Sequence, residues 1–117
     1  MLTLVDTSVW VTHFKKKDLK LISLLENGRV VTHPYVLGEL YLGKPKNKNE
    51  VIKYVELLPR LEMLDIKELK VFIEEFSLNH KGLGFVDVSL LASAFKEQVN
   101  IYTLDKKLHY HCEKILK

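Results

Sequence analysis

Leu2-Thr3-Leu4-Val5 is a run of four strand-forming residues that stops on Asp6, after which come two hydroxyl residues, Thr7 and Ser8, and a renewed apolar pattern at Val9 and Trp10. Such a run reads as a short buried strand, and buried strands belong to parallel sheets covered by helices. In an open sheet of that kind, ligands sit at the carboxyl ends of the strands, so Asp6 stands where chemistry is done. Aspartate is also a favoured helix N-cap, and that role alone would explain it. The choice between the two turns on how many other acids occupy similar junctions.

The chain of 117 residues is long enough for one filled core and too short for two ordinary domains, so residues 1–117 are expected to form a single domain. A hydrophobic share of 47% and only three prolines fit a globule. Cys112 is the sole cysteine, which excludes an intrachain disulfide and agrees with a reducing compartment. No basic segment precedes an apolar run at the N-terminus, and no stretch approaches the roughly 20 apolar residues of a membrane span. A cytoplasmic location is therefore expected, with no membrane partner. The net charge of +3 helps a polyanion approach, although the lysine groups at 15–17 and 44–48 read equally as solvated loops.

Along the chain, a helical turn follows from Thr7 to His13, and Asp18 caps a helix with Leu21, Leu24 and Leu25 on its inner face. Arg29 to Thr32 is a second short strand. Pro34 fits the first turn of a helix carrying Val36, Leu37, Leu40 and Tyr41, with Glu39 inside that apolar pattern. After a polar loop over Lys44–Lys48, a helix from Asn49 carries Val51, Val55 and Leu58, and Leu61 to Leu64 is a possible third strand. Asp65 and Glu68 have capping-box spacing ahead of the stripe Leu69, Phe72, Ile73 and Phe76. Asn79 to Gly84 is a connector. The segment from Val88 to Phe95 is apolar all round and should be a central helix. Ile101-Tyr102-Thr103-Leu104-Asp105 repeats the strand-then-acid order of the opening, and a last helix bears Leu108, Cys112, Ile115 and Leu116. The sum is a small α/β fold with a short, mainly parallel sheet of four or five strands flanked by helices, as a sandwich or three layers.

Four carboxylates thus stand at strand ends, at helix starts or within apolar patterns: Asp6, Glu39, Asp87 and Asp105. Like charges gathered at one sheet edge need protons or bound cations, and an all-oxygen donor set favours hard ions such as Mg²⁺ or Mn²⁺. Val5-Asp6-Thr7-Ser8-Val9-Trp10, Gly38-Glu39-Leu40 with Leu42-Gly43, Gly82 to Asp87 continuing through Leu90-Leu91-Ala92-Ser93-Ala94, and Thr103 to Leu108 resemble, in order, the four motif blocks of the PIN-domain ribonucleases, in particular the VapC toxins of toxin–antitoxin pairs. The resemblance covers nearly the whole chain. It implies a PIN-like fold and an endoribonuclease in which Asp6, Glu39, Asp87 and Asp105 bind Mg²⁺ or Mn²⁺, with Thr7, Ser8 and Thr103 as polar support. Ser89 stands where many relatives have histidine, so no role of that histidine is carried over. It further implies a homodimer, an RNA substrate and a cognate antitoxin whose apolar side chains would cover helix faces near Val36, Leu40, Val51 and Val55. Lys106 and Lys107 would contact phosphate beside Asp105, or merely solubilise the last helix.

Two other chemistries compete. His13, His33, His80, His109 and His111 could supply a metal-free acid–base pair, but His109 and His111 are two positions apart on a predicted helix and share no face. Surface or interface positions account for the histidines more simply, and zinc lacks its ligand spacing. A catalytically inactive PIN-like module or a receiver-like signalling domain would also gather acids at strand ends. The receiver pattern, however, wants adjacent acids after the first strand and a lysine at the end of the last.

Overall fold

The computed structural model describes residues 1–43 and 48–116. Its centre is β1 (Thr3–Val5), in which Leu4 and Val5 are fully buried and Thr3 nearly so. β2 (Val30–Val31) and β3 (Asn100–Tyr102) pair with it on either side, both parallel, in the order β2-β1-β3. Leu4 aligns with Val31 on one side and Ile101 on the other, and Val5 with Tyr102. Continuous burial of β1 is what a parallel strand between two neighbours requires.

Helices connect and cover the strands: α1 (Thr7–Lys15), α2 (Leu19–Glu26), α3 (Pro34–Leu42), α4 (Lys48–Glu56), α5 (Ile66–Glu75), α6 (Phe85–Glu97) and α7 (Lys106–Ile115). Local signals start them as the sequence suggests. The Asp18 carboxylate accepts from Leu21 N at 2.8 Å, and Asp65 and Glu68 form the reciprocal capping box expected of their spacing. None of the helices among the described residues is long and apolar enough to cross a membrane.

Every residue of α6 from Val88 to Ala94 is buried, as its all-round apolar pattern anticipates. Leu90 and Ala94 join one core cluster with β1, β2, Trp10, Leu21, Val36 and Leu40. Val88, Leu91 and Ala92 join a second with Leu69, Phe72, Leu108 and Cys112. One helix therefore ties two cores together, and its two buried serines are satisfied by carbonyls: Ser89 donates to Phe85 O and Ser93 to Glu62 O, each at 2.8 Å.

The sheet is narrower than expected. Only three strands form among the described residues, rather than four or five, and Leu61–Leu64 is not one of them. Pairing there shrinks to a single parallel bridge between Thr32 and Arg60, made by Thr32 N to Pro59 O at 2.8 Å and Leu61 N to Thr32 O at 2.9 Å. The next step toward Leu64 would need an N–H from Pro34, which has none and already begins α3, so the pairing stops at one step. Of the expected polar loop over Lys44–Lys48, positions 44–47 lie outside the described residues, as does Lys117, and Lys48 already begins α4.

At this bridge Thr32 is wholly buried, and its hydroxyl has no partner among the described residues. Thr32→Val removes that hydroxyl at nearly constant volume and keeps a β-branched side chain in extended backbone, so it is expected to raise stability by about 1 kcal/mol. A urea midpoint below that of the parent protein would contradict this.

Candidate active site

The carboxyl ends of β1 and β3 lie side by side, because Asp6 N donates to Tyr102 O at 2.9 Å and so continues the ladder by one residue. This places Asp6 and Thr103 together. Asp6 is buried, and its oxygen Oδ2 accepts from Thr103 Oγ1 at 2.7 Å and from Ser8 Oγ at 2.8 Å. Ser8 Oγ in turn accepts from Leu104 N at 3.1 Å, and Thr103 Oγ1 from Asp105 N at 3.0 Å. The two hydroxyls thus fix the Asp6 side chain and the backbone leading to Asp105 in one network. Asp6 caps α1 through its backbone only, since its side chain makes no capping bond. The simple N-cap reading of Asp6 therefore fails.

Asp105 does cap a helix: its Oδ1 accepts from Leu108 N at 2.9 Å at the start of α7. Asp87 lies in the first turn of α6, where its Oδ2 accepts from Gly84 N at 3.3 Å. Glu39 projects from α3 and its Oε1 accepts from Thr7 Oγ1 at 2.6 Å, which joins α3 to α1. Glu39 and Asp105 are exposed and Asp87 half-buried, so the apolar pattern around Glu39 does not bury it as expected. On a short helix, an apolar stripe on both sides of a residue still leaves room for that side chain to reach the rim.

Each of the four carboxylates holds one oxygen on a donor of the fold, while its other oxygen accepts no hydrogen bond among the described residues. None pairs with a lysine, arginine or histidine within 4.0 Å there. The acids nevertheless sense one another. The Asp87 carboxyl is pushed above its ordinary value first by burial, against the opposing Gly84 N–H, and then by the negative charges of Asp6, Asp105 and Glu39. Cys112, beneath the site, is raised to about 12 by burial and by neighbouring acids that include Asp6 and Asp87, which makes it an inert core thiol.

Among the described residues no three acidic, histidine or cysteine side chains stand close enough to hold a metal ion as they are. The donor set still fits a hard divalent cation: four carboxylates, oriented oxygens left over, mutual repulsion at Asp87 and no counter-charge within 4.0 Å among the described residues. A bound cation would supply the positive charge that offsets the repulsion felt at Asp87.

The histidines are engaged elsewhere. His13 Nδ1 accepts from Asp18 N at 3.0 Å, and His109 lies 3.4 Å from Glu113. His33 is fully buried rather than at a surface. Its Nδ1 accepts from Tyr35 N at 3.0 Å at the start of α3, so Nε2 carries the proton and meets Ser93 Oγ at 3.1 Å. Burial lowers its pKa to about 4, so it is a neutral structural linker between α3 and α6. A polar residue immediately before Pro34 was the available signal, because proline favours the first helical position and marks its neighbour as the cap.

The PIN-domain family matches residues 3–114. Ribonuclease VapC32 of Mycobacterium tuberculosis, from strains CDC 1551 / Oshkosh and H37Rv alike, is 34% identical over 110 residues, covering 93% of this chain and 89% of the relative. The crystal structure of PAE2754 from Pyrobaculum aerophilum superposes with a TM-score of 0.64 at 19% identity, over 92% of this chain and 77% of that one, a likeness of fold.

Proposed function

The chain belongs to the PIN-domain family, among its VapC-type ribonucleases, and from that premise we propose that it is a Mg²⁺- or Mn²⁺-dependent endoribonuclease, the toxin of a type II toxin–antitoxin pair, acting as a single PIN-like domain in the cytoplasm. The observation that supports the metal site is that Asp6, Glu39, Asp87 and Asp105 each keep one oxygen anchored and one without a donor among the described residues. A bound cation would act as a Lewis acid on the phosphoryl oxygens and stabilise the leaving oxygen.

The chain's own residues do the rest. Ser8 and Thr103 hold Asp6 in one orientation, Thr7 does the same for Glu39, and the Gly84 and Leu108 amides steady Asp87 and Asp105. Lys106 and Lys107, next in chain to Asp105, contact the substrate phosphate. Water forms the new bond to phosphorus and the 3′ oxygen leaves, so the products carry a 5′-phosphate and a 3′-hydroxyl. The neighbouring 2′-hydroxyl takes no part.

Purified protein is expected to cleave RNA with Mg²⁺ or Mn²⁺ and to stop when EDTA is in excess. Cleavage that persists in EDTA would overturn this reading, and cation binding without cleavage would instead favour an inactive PIN-like interaction module.

For partners, we propose a homodimer and an antitoxin. Leu42 and Leu57 are more than four-fifths exposed and Tyr54 is exposed beside them, on α3, on α4 and just beyond it, which gives an apolar surface for association. The helix faces near Val36, Leu40, Val51 and Val55 receive the antitoxin through their outer residues, since Val36, Leu40 and Val55 themselves lie in the core and Val51 packs against it. Their regular spacing signals burial in the core cluster they share with β1 and β2, not an open groove. Sedimentation of the protein alone as a concentration-independent monomer would exclude the homodimer.

A further inference from the structure

Four carboxylates repel a polyanion, so RNA must be drawn to this site by positive charge elsewhere, and the net charge of +3 does not say where. A groove of about 680 Å³ does, with Lys81 on one wall and Lys106, Lys107, Tyr110, His111 and Lys114 on the other. Lys107, Tyr110, His111 and Lys114 recur at i, i+3, i+4 and i+7, which places them on one face of α7. None of the four lysines has an acidic partner within 4.0 Å among the described residues.

Two further details shape the groove. The Lys107 side chain lies across Gly82, whose φ of +78° suits glycine and where a Cβ would come within 2.9 Å of Nζ, so the lysine runs close along the backbone that leads to Asp87. Tyr110 is 54% exposed, with Lys114 Nζ 4.9 Å from its ring centroid and the His111 ring edge-on at 5.2 Å. Two stretches of its lining are next in chain to the acids: Lys106 follows Asp105 directly, and Lys81 and Gly82 come just before the Gly84 amide that holds Asp87.

We propose that this groove is the track of single-stranded RNA leaving the acidic site, with Lys81, Lys107 and Lys114 taking successive phosphates and Tyr110 stacking an unpaired base. The assignment rests on the RNA-cleaving reading above. It favours RNA over an acidic protein segment because an exposed aromatic ring among lysines with no acidic partner among the described residues suits a strand of bases and phosphates.

The test is fluorescence anisotropy of a labelled single-stranded RNA oligonucleotide in EDTA, where nothing is cleaved, across about 50 to 200 mM KCl. For K81Q/K107Q/K114Q the slope of log affinity against log salt should fall by about 2, at about 0.7 per phosphate contact, with affinity at least tenfold weaker at the low-salt end. K53Q/K67Q/K70Q removes the same charge from α4 and α5 and should keep the slope of the parent protein. Tyr110→Ala should weaken single-stranded RNA at least fivefold and leave duplex RNA unchanged.

Absent RNA binding, an unchanged slope in the groove variant, or an equal loss in the α4/α5 variant would overturn the proposal. So would groove-dependent binding of poly-glutamate with RNA binding unaffected, which would assign the groove to an acidic protein segment. Failure of the two readings is distinguishable: a protein that cuts RNA with Mn²⁺ but binds it independently of these lysines loses the groove alone. One that binds through them but never cuts loses the nuclease alone.

Discussion

Asp6→Asn is expected to leave a folded protein whose RNA cleavage is slower by about 100-fold or more, through loss of a cation-binding charge at nearly constant volume. The fold survives because the asparagine carbonyl oxygen can still accept from Ser8 and Thr103, the two bonds that fix this side chain. What disappears is the charge on the other oxygen. Asp87→Asn should cost activity similarly, and it has a second signature. Burial and three neighbouring acids raise the folded-state pKa of Asp87 above its unfolded value, so its ionised form opposes folding once the pH exceeds the ordinary carboxylate range. In EDTA at pH 7 the variant should therefore unfold at higher urea than the parent, and this advantage should vanish in acid, where both side chains are neutral. An Asp6→Asn protein with undiminished turnover, or an Asp87→Asn protein destabilised at pH 7 without metal, would contradict the account.

The second large effect is acid destabilisation through His33. Its pKa falls from 6.5 to about 4 on folding, because burial disfavours the charged ring. A group depressed in the folded state binds fewer protons there than in the unfolded chain, so stability from this source is complete above pH 6.5 and declines as the pH falls through that window. About 3 kcal/mol should be lost by pH 4, the linkage energy of a shift of that size. Urea midpoints over this range, with the His33 ring followed by NMR, provide the check. A ring that titrates near 6.5 in the folded protein would show that burial does not hold it neutral.

Much of this was legible in the letters. The buried β1 with an acid at its end, the caps at Asp18 and Asp65, and the central α6 follow from short-range patterns that tertiary packing did not override. That the acid-bearing ends of β1 and β3 lie side by side was legible, because the two strands share the strand-then-acid order and pair directly. The sheet width was not, because Leu61–Leu64 has strand composition while the segment it pairs with turns into α3 at Pro34 after one bridge, an effect of long-range register. Nor was the partner surface, since periodicity shows which residues share a helix face but not whether a neighbour covers it, and Val36, Leu40 and Val55 are covered. The α7 groove escaped a search for lysine runs because Lys81 and Lys114 are distant in sequence and meet only when the Asn79–Gly84 connector lies against α7.

We propose that Asp6, Glu39, Asp87 and Asp105 form one divalent-metal site. It is tested most directly by titrating Mn²⁺ into the protein and following free Mn²⁺ by electron paramagnetic resonance, with the unfolding midpoint measured in the same samples. The parent protein should remove Mn²⁺ from solution and gain about 2.7 kcal/mol of stability at a hundredfold excess over its dissociation constant, whereas Asp6→Asn and Asp87→Asn should do neither under the same conditions. Equal Mn²⁺ uptake by the parent and both variants would place the metal elsewhere and contradict the account.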